Sequence, residues 1–389
     1  MKKLIALILS VILLLCGCSS PKEEPPTDDT APAETEMVGL WITFAELGGF
    51  FSAPEGFEAA FNTAVGKAAE IGVNTLFVHT RAFCDAVYKS EYFPKASYVN
   101  IPNDPLTVMC DIAAKHGMEI HAWINPYRVS TASSDINTLP ENSPAYVWLN
   151  DENPQNDTNV CFTDSGIYLN PAEPEVKKLI LNGVREIIDN YAVDGIHFDD
   201  YFYPTTDASF DEAAYKRYES TAETPLTLAE WRRKNVNSLI NSVYCAVKEK
   251  NSALQFGISP AADLERCYNT LYADVEGWIG GGYIDYIMPQ LYFGFEYPLE
   301  EFCFPQLLTK WQDLTAGKIK MYVGLPFYKV GTEVSPDNTE WNARDDIIAR
   351  QIQLLKENNT AGYVYFSYSS VFSDAALNVR QLENVKMLQ

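Results

Sequence analysis

The sequence predicts an α/β fold, a parallel (β/α)8 TIM barrel with long loops after strands 3 and 4. Three observations predict it. Strand-like and helix-like segments alternate in series, with no run of consecutive hairpin strands. The strand-like segments number eight, as a closed barrel requires. The third and fourth are followed by long polar and aromatic stretches, on the face where barrel enzymes build their sites.

Apolar character predicts strands at 37–44, 73–80, 119–125, 193–199, 255–260, 284–292, 320–326 and 361–368. Apolar residues at three- and four-residue steps predict helices at 58–71, 105–116, 174–191, 227–250, 271–279, 305–314 and 345–358. Val176, Leu179, Ile180, Val184, Ile187 and Ile188 show the pattern, and Gly72, Gly117 and Gly317 stand where helices should stop. An open doubly wound sheet would call for a glycine-rich phosphate turn after the first strand. Gly48-Gly49 does not make one.

The amino end is a separate matter. Lys2 and Lys3 precede an apolar run from Leu4 to Leu15, too short for an ordinary transmembrane helix and suited to a secretory signal over 1–17. Leu15-Cys-Gly-Cys18 resembles the lipobox of bacterial lipoproteins, which implies cleavage before Cys18 and a lipid on its thiol. Residues 18–36 have almost no apolar side chain and predict a disordered tether, leaving 37–389 as the barrel domain. Both features put the domain outside the cytoplasm, anchored to the membrane. Six later cysteines show no CxxC spacing, so neither a zinc site nor a disulfide scaffold is indicated.

The chain of 389 residues carries a net charge of −23. Such acidity disfavours nucleic acid and anionic polymers and suits a neutral or cationic polymer. Nothing in the sequence calls for more than a monomer.

The chemistry centres on Val193-Asp-Gly-Ile-His-Phe-Asp-Asp-Tyr-Phe-Tyr-Pro204, where a buried strand ends in two carboxylates and a run of aromatics. Alternation places His197 and Asp199 on the inward face. An inward Asp at a strand end is costly unless it serves a wet cavity. The same alternation turns Trp41, Thr43, His79, Arg81, His121, Trp123, Asn125, Met288, Gln290, Tyr292, Tyr365 and Ser367 inward, with Asp85, Tyr88, Tyr127 and Arg128 just beyond. Pyranose faces stack on Trp and Tyr, hydroxyls bind Asn, Gln, Asp and Arg, and glycoside hydrolysis uses two carboxyls. The expected substrate-binding set is Arg81, Trp123, Asn125, Tyr127, Arg128, His197, Tyr201, Gln290 and Tyr292. Asp199 is expected as nucleophile or water-activating base. For the second carboxyl, Asp85 is preferred over Asp200, whose opposite parity turns it away while the strand continues.

Two other readings fit the same residues. His79, His121 and His197 with Asp199 could ligate a metal in a hydrolase or deacetylase, although no HxH or HExxH spacing accompanies them. A glycan-binding lipoprotein without catalysis is the other. A serine hydrolase is disfavoured, because Ser259 in Gly257-Ile-Ser-Pro260 lacks a nucleophile elbow.

Several stretches together resemble the glycosyl hydrolase-like 10 family of bacterial secreted and lipoprotein barrels. They are Val73-Asn-Thr-Leu-Phe77 with Arg81 and Asp85-Ala86, Asn125-Pro-Tyr-Arg128, Asp194 to Pro204, Gly257-Ile-Ser-Pro260, Met288-Pro-Gln-Leu-Tyr292 and Gly324-Leu-Pro-Phe-Tyr-Lys329. The resemblance implies a catalytic barrel acting on glycosidic bonds of cell-wall polysaccharide, with peptidoglycan glycan strands favoured, and no metal or organic cofactor. The chain departs from the family pattern at His79 and over Ala261 to Glu265.

Overall fold

The structure is a computed structural model and describes residues 35–332 and 338–388. The signal segment, Cys18 and the tether up to residue 34 lie outside the described residues. Glu36, assigned to the tether from sequence, is tied to the domain: its carbonyl accepts from Asn74 Nδ2 at 2.8 Å.

Eleven strands are present among the described residues. They are β1 (Met37–Ile42), β2 (Thr75–Arg81), β3 (Glu119–Ile124), β4 (Arg128–Ser130), β5 (Val160–Thr163), β6 (Gly166–Leu169), β7 (Gly195–Phe198), β8 (Gln255–Ile258), β9 (Tyr286–Ile287), β10 (Lys320–Leu325) and β11 (Gly362–Tyr365). Eight of them close an all-parallel barrel in the order β1-β11-β10-β9-β8-β7-β3-β2, with helices between the strands. This is the predicted (β/α)8 architecture. Leu40, Tyr365 and Leu325 lie in one register and face the outer helices. Met37, Trp41, Phe77, Trp123, Tyr286, Met288, Tyr322 and Val364 fill the interior as a second cluster.

Local chemistry explains the elements. Thr43 and Glu46 form a capping box that starts helix Phe44–Phe51 immediately after β1. Glu46 also receives Ser367 Oγ at 2.7 Å and the Ser369 amide at 2.6 Å, so one carboxylate clamps the first barrel unit to the last. Gly72, Gly117 and Gly317 all have positive φ, as the helix stops required. The predicted helix at 271–279 is instead two short helices, Leu264–Asn269 and Val275–Gly281, each capped by an Asp. Between them Tyr272 takes φ 55°, which a helix cannot accommodate.

The two long connections are more ordered than loops. The stretch after β3 holds an antiparallel sheet in the order β4-β6-β5, with β5 and β6 joined at Asp164-Ser165. Arg128 pairs with Tyr168 across that sheet, which fixes the first residue of β4. The stretch after β7 contains helix Glu212–Thr221.

Three inward assignments are corrected. A register shift between His79 and Arg81 inserts Thr80 as an extra residue, so Arg81 leaves the interior. Its guanidinium lies 3.8 Å from the Phe93 ring centre and against Gly183 of helix Pro174–Asn190, where a Cβ would strike both. Tyr365 and Ser367 also face away from the interior. Leu40 and Leu325, the register partners of Tyr365, set β11 with Val364, and Phe366 beyond it, toward the centre, and Ser367 turns its Oγ to Glu46.

Gly257 in β8 has a packing duty: a Cβ there would enter the ring of the fully buried Tyr286. Gly257→Ala is therefore expected to destabilise the fold by about 1–3 kcal/mol, read as a lower denaturant midpoint at unchanged slope. An unchanged midpoint would show that Tyr286 can move aside.

Candidate active site

β7 ends at Phe198, so Asp199 and Asp200 stand just past the last paired residue. Asp199 lies on the wall of a cavity of about 150 Å³, with Trp41, Thr43, Phe44, His79, Trp123, Arg128, Tyr201, Ser259, Gln290, Tyr292 and Phe366. Asp199 itself is only 2% exposed. Larger hollows, such as one of about 760 Å³ around Lys89 and Tyr191, lie elsewhere on the surface.

Each partner of Asp199 comes from a different element. Trp123 Nε1, from β3, donates to Oδ2 at 3.2 Å, and the Tyr201 amide donates to Oδ1 at 3.2 Å. The Trp123 ring lies flat on His79, with centroids 3.3 Å apart. Arg128 stacks its guanidinium 3.6 Å from the centre of the Tyr201 ring, which is 49% exposed and forms an open aromatic shelf at the cavity. Pro289 interrupts the ladder after β9, but Gln290 bridges both Ala261 and Gly324 and resumes it. Gln290 Nε2 then donates to Asp200 Oδ1 at 3.2 Å and to the Ser259 carbonyl at 2.9 Å.

Electrostatics set the state of the pair. Burial raises the Asp199 carboxyl well above the usual range, and the Asp200 charge adds to that rise. Arg128 and the two N–H donors pull it back in part. Asp200 is raised too, by burial, with the Gln290 hydrogen bond opposing. Burial also holds His79 well below its ordinary value, so it is neutral. Two buried polar atoms on this wall have no partner in the protein among the described residues, Trp41 Nε1 and Arg128 Nε, while His79 takes the Phe44 amide on Nδ1 and bonds the Asn125 side chain. Unsatisfied groups gathered at one cavity mark a place built to receive a polar ligand.

Of the expected binding set, Trp123, Arg128, Tyr201, Gln290 and Tyr292 line the cavity. Arg81, Asn125, Tyr127 and His197 do not. Arg81 is displaced by the β2 irregularity; Asn125 turns its Nδ2 to the Ala82 carbonyl; Tyr127 is buried in the outer core. His197 sits a layer below, with both ring nitrogens engaged by Tyr286 and Ser259. The four candidate metal ligands do not converge either, since His121 bonds Tyr286, His79 stacks on Trp123, and no cluster of three donors forms among the described residues.

Asp85 occupies a different hollow, of about 470 Å³, with Cys84, Lys95, Ser130 and Thr131 among its lining. Burial pushes its carboxyl up to about 6, against the pull of Arg81. Phe44 and Phe83, in edge contact at 5.2 Å, stand between the two hollows. Phe44 and Phe366 were missed from sequence. Aromatics at both parities, in Tyr363-Val-Tyr-Phe-Ser-Tyr368, hide the inward one.

Comparison with known proteins bears on the family and the fold. The chain is 29% identical over 383 residues to Glycosyl hydrolase DigH of Escherichia coli (strain K12), covering 85% of each. It is 31% identical over 326 residues to Glycosyl hydrolase YngK of Bacillus subtilis (strain 168), covering 77% of this chain and 60% of that one. The fold matches the PgaB (BpsB) glycoside hydrolase domain from Bordetella bronchiseptica with a TM-score of 0.61 at 14% identity, over 89% of this chain and 98% of that one. At that identity the likeness speaks for the fold alone. The model of the glycosyl hydrolase-like 10 family matches residues 36–343, and the chain belongs to that family.

Proposed function

We propose that this protein hydrolyses glycosidic bonds of a bacterial cell-wall polysaccharide, the glycan strands of peptidoglycan, with Asp199 and a second carboxyl as its chemical centre. The observation that carries the reading is the Asp199 cavity, where a raised carboxyl pair meets aromatic walls and unsatisfied polar atoms. Hydrolysis needs one carboxyl protonated and one ionised. Two adjacent buried acids favour that state, because the charge of one opposes ionisation of the other. The protonated member donates to the leaving oxygen; the ionised member attacks the anomeric carbon or activates water.

Asp199 lines the cavity and faces the sugar as nucleophile or base. Asp200 fits the role of second carboxyl better than Asp85, since its charge acts directly on Asp199 while Asp85 stands in the neighbouring hollow; that charge leaves the shared proton on Asp199 in the free protein, and the proton passes to Asp200 as Asp199 takes up its role. Tyr201 offers a face for a pyranose, and Arg128 beneath it favours the ionised Asp199. A lipid on Cys18 belongs to the same proposal, holding the barrel outside the cytoplasm within reach of the wall.

The test is release of reducing ends from intact peptidoglycan and from strands stripped of peptide. New ends from either substrate are expected. Binding to both without cutting would make the barrel a glycan receptor.

Asp200→Asn probes the pairing. Loss of the neighbouring charge lowers the Asp199 pKa, so the acidic limb of the residual pH–rate profile should move to lower pH. A limb that stays put would separate the two carboxyls.

A further inference from the structure

Below the cavity, a chain hydrogen-bonded from His121 to Ser259 crosses the barrel interior, with a carboxylate in ion-pair range of its outer end. Glu119 Oε2, at the start of β3 on a side chain 52% exposed, lies 3.9 Å from His121 Nε2. His121 Nδ1 is 3.0 Å from Tyr286 Oη, which is 3.0 Å from His197 Nδ1. His197 Nε2 is 3.0 Å from Ser259 Oγ, on the cavity wall beside Asp199. The barrel makes room for this chain. A Cβ at Gly195 would stand 2.6 Å from His121 Nδ1, and one at Gly257 would enter the Tyr286 ring.

Counting protons gives the chain a direction. A neutral imidazole carries one N–H and a phenol one O–H, so each link has one donor. With both rings singly protonated, a His121 proton on Nε2 faces the Glu119 carboxylate and leaves Nδ1 to accept from Tyr286. The Tyr286 oxygen then accepts from His197 Nδ1–H, and His197 Nε2 is left as an acceptor. Burial holds His197 well below its ordinary value, in keeping with a neutral ring. Ser259 must give its proton to His197 rather than to the Phe198 carbonyl 3.4 Å away.

We propose that this relay makes Ser259 a specificity-determining contact, its oxygen held as an acceptor for an O–H or N–H donor of the sugar bound against Asp199. Glu119, His121, Tyr286 and His197 are positioning residues that act through it. The inference rests on reading the cavity as a glycan site and adds the polarity of one contact.

Two measurements test it. With four histidines in the chain, two-bond 1H–15N spectra resolve each ring. His121 is expected with its proton on Nε2 and His197 with its proton on Nδ1. A His197 proton on Nε2, as an imidazolium at His121 would impose, overturns the relay. The second is affinity, measured in an Asp199→Asn background so that nothing is cut. The probes are a tetramer of N-acetylglucosamine and its de-N-acetylated counterpart.

Adding Ser259→Ala should weaken binding by roughly tenfold, and adding the remote Tyr286→Phe should weaken it in the same direction. A loss with either tetramer supports the contact, and a loss confined to the acetylated one narrows the donor to the amide N–H. Unchanged affinity in Ser259→Ala, or no binding of either tetramer, overturns the contact. Failure of the proposed hydrolysis would appear separately, as wild type releasing no reducing ends.

Discussion

Asp199→Asn is expected to lower glycan hydrolysis by about 10³-fold while leaving the fold intact, and to raise thermal stability at neutral pH. The activity follows from position: Asp199 lines the cavity, and an amide can neither attack the anomeric carbon nor take a proton from water. The stability follows from linkage. Burial and Asp200 raise the folded-state pKa of Asp199 above its unfolded value, so ionising it costs the folded state. Wild type then loses stability as pH rises from the unfolded carboxylate range through the raised folded value. The variant lacks that loss. Melting curves at about pH 4 and pH 8 should show the two proteins converging at the lower pH and the variant ahead at the higher. Retained activity in the folded variant would remove Asp199 from the chemistry.

The second large effect lies away from the cavity. Arg232→Ala should cost about 3–5 kcal/mol, because it strands a buried carboxylate. Arg232 and Asp211 both have fully buried side chains. Arg232 Nε donates to Asp211 at 3.0 and 3.2 Å and Nη2 donates at 2.6 Å, with further bonds to the Asp207 carbonyl and to Tyr272 Oη. This hub ties the connection after β7 to helix Leu228–Lys250 and to Tyr272 beyond β8. Tyr201 leaves β7 on the same connection, so its hold on Asp199 should loosen as well. Urea denaturation measures the cost. The double variant Arg232→Met with Asp211→Leu should recover much of it, since replacing both members removes the orphaned charge. A double variant as unstable as the single one would assign the loss to packing.

The barrel was legible because its signals are local. Alternation, capping residues and helix-stopping glycines lie within a few positions of what they specify, as at Gly72 and Gly117. Asp199 was legible for the same reason, at the end of an apolar strand. What escaped depends on pairing between distant segments. The irregularity that turns Arg81 outward is defined against β3, and the parity of Phe366 by register with β1 and β10. Arg232 sits in Trp231-Arg-Arg-Lys234, which reads as a solvated face until Asp211 is seen to bury against it. The hairpin of β5 and β6 was hidden in a polar, proline-containing stretch, although Asp164-Ser165 between apolar residues is a turn signal.

The closure of β1 on β11, reinforced by Glu46 across to Ser367, has a consequence for biogenesis. The first strand of the domain cannot gain its second neighbour until nearly the last has been made. Phe366, on the cavity wall, arrives with that last strand. A chain emerging amino end first therefore holds an open sheet, with Asp199 in water and no binding cavity, through most of its synthesis. Bringing such distant segments together carries a large loop-closure entropy and makes for slow folding. Hydrolytic competence thus arrives late and all at once, and chains stalled short of β11 should be inert toward glycan and prone to aggregate along the unpaired edge of β1.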